Sequence, residues 1–138
     1  MSRLDVLRDL NDRLEKAGTG SSHLDEALFG LRDNWDVPLS NSAWYAYRSA
    51  GRPSFMMEIP DALSLLPDDW IVSLRINAPI ITTHGAYKHS ATLWRPEDTF
   101  NPVGFGAGHT SAAAVCLAYV RALLDKEKAR VVGVEDGA

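Results

Sequence analysis

Leucines recur at helical spacing from the start of the chain. Leu4, Leu7, Leu10, Leu14 and Ala17 lie three or four residues apart with polar and charged residues between them. Ser2 followed three residues later by Asp5 has the form of a capping box, with Asp standing where Glu or Gln is usual. Gly18-Thr19-Gly20 ends this helix, and Ser22 opens a second. Asp25 and Glu26 then fall in its first turn, where the helix dipole favours acids. Leu24, Leu28 and Leu31 make its apolar stripe, so the pattern predicts an αα-hairpin.

Regular patterning stops between residues 34 and 53, where Asn34, Asp36, Pro38, Ser40, Gly51 and Pro53 break any element. Trp35, Trp44, Tyr45 and Tyr47 sit in that stretch, either as pegs pinning a long loop to the core or as a ligand wall. Pro60 suits a first helical position, and Asp61 to Leu66 make a short helix stopped by Pro67. Trp70 to Ile76 alternates as a strand does, with Val72, Leu74 and Ile76 on one face and Ile71, Ser73 and Arg75 on the other. Ile80 to Thr83 and Ala86 to Trp94 predict two more strands, joined at His84-Gly85, and strands this close must pair antiparallel. Arg95 to Gly108 reads as loop. A closing helix is expected from Thr110 to about Lys128, with Ala113, Cys116, Leu117, Val120 and Leu124 on its core face. The expected fold is α/β with αβα-type layering: an antiparallel sheet of three to four strands flanked by the αα-hairpin and the C-terminal helix. Residues 1–128 form one domain in this reading, and 129–138 a flexible tail.

Composition narrows the function classes. A chain of 138 residues, 46% apolar and 23% charged, has the length and balance of one folded domain. The net charge of −4 argues against duplex nucleic acid, whose binders carry a basic surplus. With Cys116 the single cysteine, an internal disulfide and cysteine-based zinc sites are excluded. The N-terminus lacks the apolar core of a signal peptide, and no apolar run approaches the roughly 20 residues needed to span a bilayer. A cytoplasmic location without membrane contact is expected.

The order of elements resembles the phage ABA sandwich domain family of small phage proteins. Asp61-Ala62-Leu63-Ser64-Leu65-Leu66-Pro67-Asp68-Asp69-Trp70 followed by a strand carries the resemblance, as do Leu24-Asp25-Glu26-Ala27-Leu28 and the run from Thr110 to Leu124. Thr110-Ser111 stands where such proteins often have Thr-Pro, and the aromatic loop is longer than expected. The resemblance implies a phage or prophage origin, and hence an infected bacterial host, together with αβα layering. It implies no reaction.

Two features carry candidate chemistry. Gly104-Phe105-Gly106-Ala107-Gly108-His109-Thr110-Ser111 runs straight into a helix, whose free N–H groups suit an anion. Gly106 and Gly108 would let a phosphate approach the backbone, with His109, Thr110 and Ser111 adding side-chain hydrogen bonds. The alternative is a plain connector ending in a Thr110 N-cap. Tyr87, His89, Trp94 and Arg95, with Lys88, form an aromatic and basic cluster that suits a stacked base and its phosphate, or simply a half-exposed strand. His23, His84, His89 and His109 lack metal-ligand spacing, and no nucleophile signature accompanies the Ser, His and Asp residues, so neither metal nor catalytic residue is expected. No cofactor is implied. The expected function is therefore a non-catalytic phage sponge that sequesters a small phosphate-bearing nucleotide signal against host defence. A homo-oligomer is expected with it, because a small domain gains an enclosed pocket between copies. The alternative is an interaction module that blocks or redirects a host protein through the aromatics of residues 35 to 47.

Overall fold

The computed structural model describes residues 3–16, 22–32, 47–49, 51–83 and 85–137. In chain order its elements are α1 (Arg3–Lys16), α2 (Ser22–Arg32), α3 (Ile59–Leu63), β1 (Ile71–Arg75), β2 (Ile80–Thr82), β3 (Gly85–Tyr87), β4 (His89–Trp94), β5 (Gly104–Gly108) and α4 (Ser111–Gly137). The class is α/β, as the patterning predicts: N-terminal helices, an antiparallel three-stranded sheet in the order β1-β4-β5, and a long closing helix. β2 and β3 form a separate two-stranded hairpin.

The leucine stripe of α1 does what its spacing requires, since Leu7, Leu10 and Leu14 are all buried. Leu24, Leu28 and Leu31 of α2 are buried likewise. Both helices therefore stand where the pattern places them, while residues 17–21 between them lie outside the described residues. α4 is the centre of the fold. It packs broadly on β4 and β5 through one side, and α1 and α3 pack on α4 in turn. Val115, Cys116 and Val120 on α4 are fully buried together with Leu7, Leu28, Phe55, Met56 and Leu93.

Three boundaries differ from the sequence reading. The stretch Arg95 to Gly108 is not all loop, because Gly104–Gly108 is strand β5, paired to β4 from His89↔Gly108 to Leu93↔Gly104. Glycine has poor strand propensity, so Gly-Phe-Gly-Ala-Gly shows no strand signal. What selects glycine here is the helix behind it. A Cβ on Gly104 would clash with the Ala118 carbonyl oxygen, and one on Gly106 would lie 2.6 Å from Ala114 O and Ala118 N. Second, Ala86 to Trp94 is two strands rather than one. The chain bends at Lys88, so that β3 pairs with β2 while β4 pairs with β1 and β5. Third, α4 continues to Gly137 instead of ending near Lys128.

The irregular approach to α3 is held by side chains from three helices. Ser54 N donates to Asp61 Oδ2 at 2.9 Å, and Met56 N donates to the buried Asp25 Oδ1 at 3.1 Å. Thr110 Oγ1 donates to Met56 O at 2.7 Å, and Cys116 Sγ donates to Phe55 O at 3.1 Å. A buried segment without ladder partners must satisfy its backbone in this way. Tyr47 is a peg: it is buried, meets Phe29 edge-on at 5.5 Å, and its hydroxyl donates to Pro53 O at 3.2 Å. Trp35, Trp44 and Tyr45 lie outside the described residues.

Candidate functional site

Strand register sorts the sequence-predicted residues into two groups. His89 pairs with Gly108, which brings Tyr87, His89, Gly108, His109 and the start of α4 to one end of the sheet. Trp94 pairs with Ile71 at the far end of β4, five residues and about 17 Å away, with Arg95 just beyond. Trp94 also points to the other face. Residues paired across strands share a face, so Trp94 lies with Ile71, Ser73, Thr92 and Phe105 on the side away from α4. Ile71 and Phe105 there remain 42% and 37% exposed. The expected aromatic and basic cluster is thus not one surface.

At the near end the polar groups are largely turned inward. Thr110 is the N-cap of α4: its Oγ1 accepts from Ala113 N at 2.9 Å while donating to Met56 O. Ser111 is buried. The space beside Gly106 and Gly108 that a phosphate would need is taken by Ala113, Ala114, Leu117 and Ala118 of α4. His109 is exposed and meets the Tyr87 ring edge-on at 4.7 Å. Tyr87 is buried, and its hydroxyl donates to Glu15 O at 3.0 Å. His89 Nδ1 accepts a long hydrogen bond from Asn77 N at 3.4 Å.

Beside Tyr87 lies a cavity of about 30 Å³, lined by Glu15, Thr82, Tyr87, Ala107, Leu117 and Arg121 among others. That is room for about one water and not for a nucleotide. Arg121 lines it and ties three elements together. Its Nη2 pairs with Glu15 Oε1, Nε donates to Asn11 Oδ1 at 3.2 Å, and Nη1 donates to Phe105 O at 2.9 Å. The last bond caps a carbonyl on the edge strand β5, which blunts an otherwise open edge.

A different cleft has the dimensions of a ligand site. Arg3, Leu31, Arg32, Tyr119, Leu123, Lys126 and Glu127 line an open depression of about 490 Å³ between the start of α1, the end of α2 and the middle of α4. Pockets for small molecules run from roughly 300 to 1,000 Å³. Among the described lining residues Arg3, Arg32 and Lys126 are basic and Glu127 is acidic. Arg130 Nη2 lies 2.6 Å from Glu127 Oε1, and this hydrogen bond, with the charges of Arg130 and Arg3, holds the Glu127 carboxyl below its usual range. Burial raises the Tyr119 phenol above its ordinary value, with the nearby charges of Arg3 and Arg32 opposing the rise. The Arg32 guanidinium lies 4.7 Å from the Phe29 ring centroid, which orients it. Sequence reasoning missed this cleft because its cations come from three elements with no common spacing. A faint signal was the basic residue in the last turn of α2, next to an apolar stripe.

Among the described residues, no three His, Cys, Asp or Glu side chains gather as a metal site would require. No helix among them is long and apolar enough to cross a membrane. Burial pushes the Cys116 thiol up, which makes it an inert core group. No protein-family model matches the chain, and no curated protein or solved structure is detectably similar to it.

Proposed function

We propose that this chain is a non-catalytic binder of a small phosphate-bearing ligand of the nucleotide type, held in the cleft of Arg3, Arg32, Lys126 and Tyr119. The observation that carries this reading is the convergence of three cations on a cleft of about 490 Å³ in a chain whose net charge is −4. A basic cleft in an acidic protein focuses field toward an anion. The cations supply charge for the phosphates, while Leu123 and the buried edges of Leu31 and Tyr119 line the floor on which the remainder of the ligand would rest. Among the described residues that line the cleft, none pairs a nucleophile with a base. The resemblance to phage ABA sandwich proteins fits such a sponge to a phage that withdraws a defence signal from its host.

The test is a thermal-shift and calorimetry panel of mononucleotides, cyclic oligonucleotides and ADP-ribose isomers against the intact chain. Ligand at 100 times its dissociation constant stabilises by about 2.7 kcal/mol, a rise of several degrees. Arg3→Glu and Lys126→Glu change exposed side chains and are expected to leave the fold intact, which unfolding of the free variants checks. Each is expected to weaken binding at least tenfold, and ligand recovered after denaturation is expected unaltered. Binding indifferent to both reversals would place the ligand elsewhere, and altered ligand would make the protein an enzyme.

The second reading, an interaction module, is favoured by the exposed apolar side chains on the sheet face away from α4 and at the tip of the β4–β5 connection. The described part of the aromatic stretch does not contribute, since Tyr47 is buried.

A further inference from the structure

Two phenyl rings hold one of the three cations of the basic cleft. The guanidinium carbon of Arg32 lies 4.7 Å from the Phe29 ring centroid and 5.6 Å from that of Phe55. Both rings belong to the packed core. Phe29 in turn meets Tyr47 edge-on, and the Tyr47 hydroxyl is tied to Pro53 O. Phe55 is fixed through its backbone. Its carbonyl accepts from Cys116 Sγ, and the next residue, Met56, donates its N–H to Asp25 and accepts from Thr110 on its carbonyl. Side chains of α2 and α4 thus set the rings that set Arg32.

The other two cations are mounted differently. Arg3 and Lys126 are exposed, whereas Arg32 is half-buried. An exposed cation draws in any anion and is screened by salt. A restrained guanidinium does more, because its planar fork of N–H donors matches two oxygens of one phosphate group. Contact with a ring engages the charge of a guanidinium and does not itself use that fork. Holding the group in place beforehand also removes ordering entropy that a loose side chain would lose on binding. Arg3 and Lys126 therefore govern how strongly an anion is attracted, and Arg32 governs which anion stays.

We infer that Arg32 is the specificity-determining residue of the cleft, gripping two oxygens of one phosphate group, and that Phe29 and Phe55 are its positioning residues. This rests on the reading of the basic cleft as a phosphate site. Arg32 also stands in the last turn of α2, where any cation complements the helix dipole. Lysine would serve that role equally well, so Arg32→Lys separates the two.

Calorimetric titration of the intact chain with inorganic pyrophosphate at low ionic strength tests this. Arg32→Lys keeps the charge but loses the planar fork, and the dissociation constant is expected to rise at least about tenfold. Arg3→Lys, at an exposed side chain, is expected to raise it less. Phe29→Leu keeps an apolar filler and removes the ring. It should weaken binding about fivefold in the wild-type background and add little to Arg32→Lys, because a point charge has no plane to orient. A merely structural role for Phe29 would weaken both backgrounds alike. Urea unfolding identifies the folded variants, and should Phe29→Leu not fold, the ranking of Arg32→Lys against Arg3→Lys decides alone. A loss in Arg32→Lys no greater than in Arg3→Lys, or a Phe29→Leu effect that is the same in both backgrounds, overturns the inference; binding that still falls in Arg3→Glu then leaves the cleft itself as the phosphate site. Wild-type chain that takes up no pyrophosphate overturns both.

Discussion

Replacing Gly106 by alanine tests whether α4 rests directly on the backbone of β5. The added Cβ would stand 2.6 Å from both Ala114 O and Ala118 N, and 2.9 Å from Leu117 Cβ, where real Cβ contacts essentially never fall below 3.0 Å. Two of these neighbours are backbone atoms of a continuous helix, so no side chain can rotate away, and strand and helix must part. A gap of about half an ångström forfeits about a quarter of each dispersion contact, and a buried Leu makes about 40 such contacts of about 0.1 kcal/mol. The loss is about 1 kcal/mol for each large side chain at the seam, or about 3 kcal/mol for three. The reduced freedom of the unfolded chain returns about 0.5–1 kcal/mol. The net cost is about 2 kcal/mol, within the range for overpacked cores. Urea unfolding with an m-value of about 2 kcal/mol/M would then show the midpoint falling by about 1 M at unchanged m. The same geometry ranks the neighbours. Gly104→Ala, whose Cβ would overlap the Ala118 carbonyl, should cost more, and Gly108→Ala, with nearest approaches of 3.0 and 3.1 Å, should cost less. A loss below about 0.5 kcal/mol at Gly106, or a reversed ranking, would refute the idea that these glycines exist for helix–strand approach.

Asp25 and Arg121 give two further expectations, alongside those stated above. Burial raises the Asp25 carboxyl above its ordinary value near 3.8, outweighing the hydrogen bonds from Met56 and Phe55 N–H that lower it. The fold then binds this proton more tightly than the unfolded chain does. Its contribution is therefore greatest below the unfolded value and lost as pH rises through the folded one. The difference in unfolding free energy between wild type and Asp25→Asn, measured from pH 3 to 7, should drift in that direction; the opposite drift would mean that the two N–H donors dominate. Arg121→Met leaves Glu15, Asn11 and the Phe105 carbonyl without their shared donor, at a cost of about 1–2 kcal/mol after allowance for partial exposure. Lys16→Met, which removes the exposed Lys16–Asp12 pair within α1, should cost under about 0.5 kcal/mol in the same denaturation assay. Equal losses would show that Arg121 does not bridge the elements.

Much of the architecture was legible along the chain because it depends on local periodicity. The leucines of α1 and α2, the face alternation of β1 and the burial of Cys116 all follow from spacings of two or of three to four residues, and the structure bears each out. The Thr110 cap was also one of the two readings that its position allowed. What stayed hidden was whatever depends on a distant neighbour. Strand β5 looks like a loop until Ala114 and Ala118 are seen behind its glycines, because glycine signals both freedom and close approach.

The candidate site divides in the same way. Tyr87, His89, Gly108 and His109 do meet, through a register that sequence suggests only loosely, while Trp94 and Arg95 stand at the other end of the same strand. Chain proximity within β4 says nothing about which of its two faces or ends a ligand could share. The cations of the basic cleft are separated by most of the chain and converge only because α1 and α2 gather near α4. Class, helix faces and the core cysteine were thus set by sequence periodicity, which acts over a few residues. The close glycine seam, the split of the aromatic cluster and the gathering of Arg3, Arg32 and Lys126 were decided by tertiary packing, since each requires groups that meet only when the apolar faces bury one another.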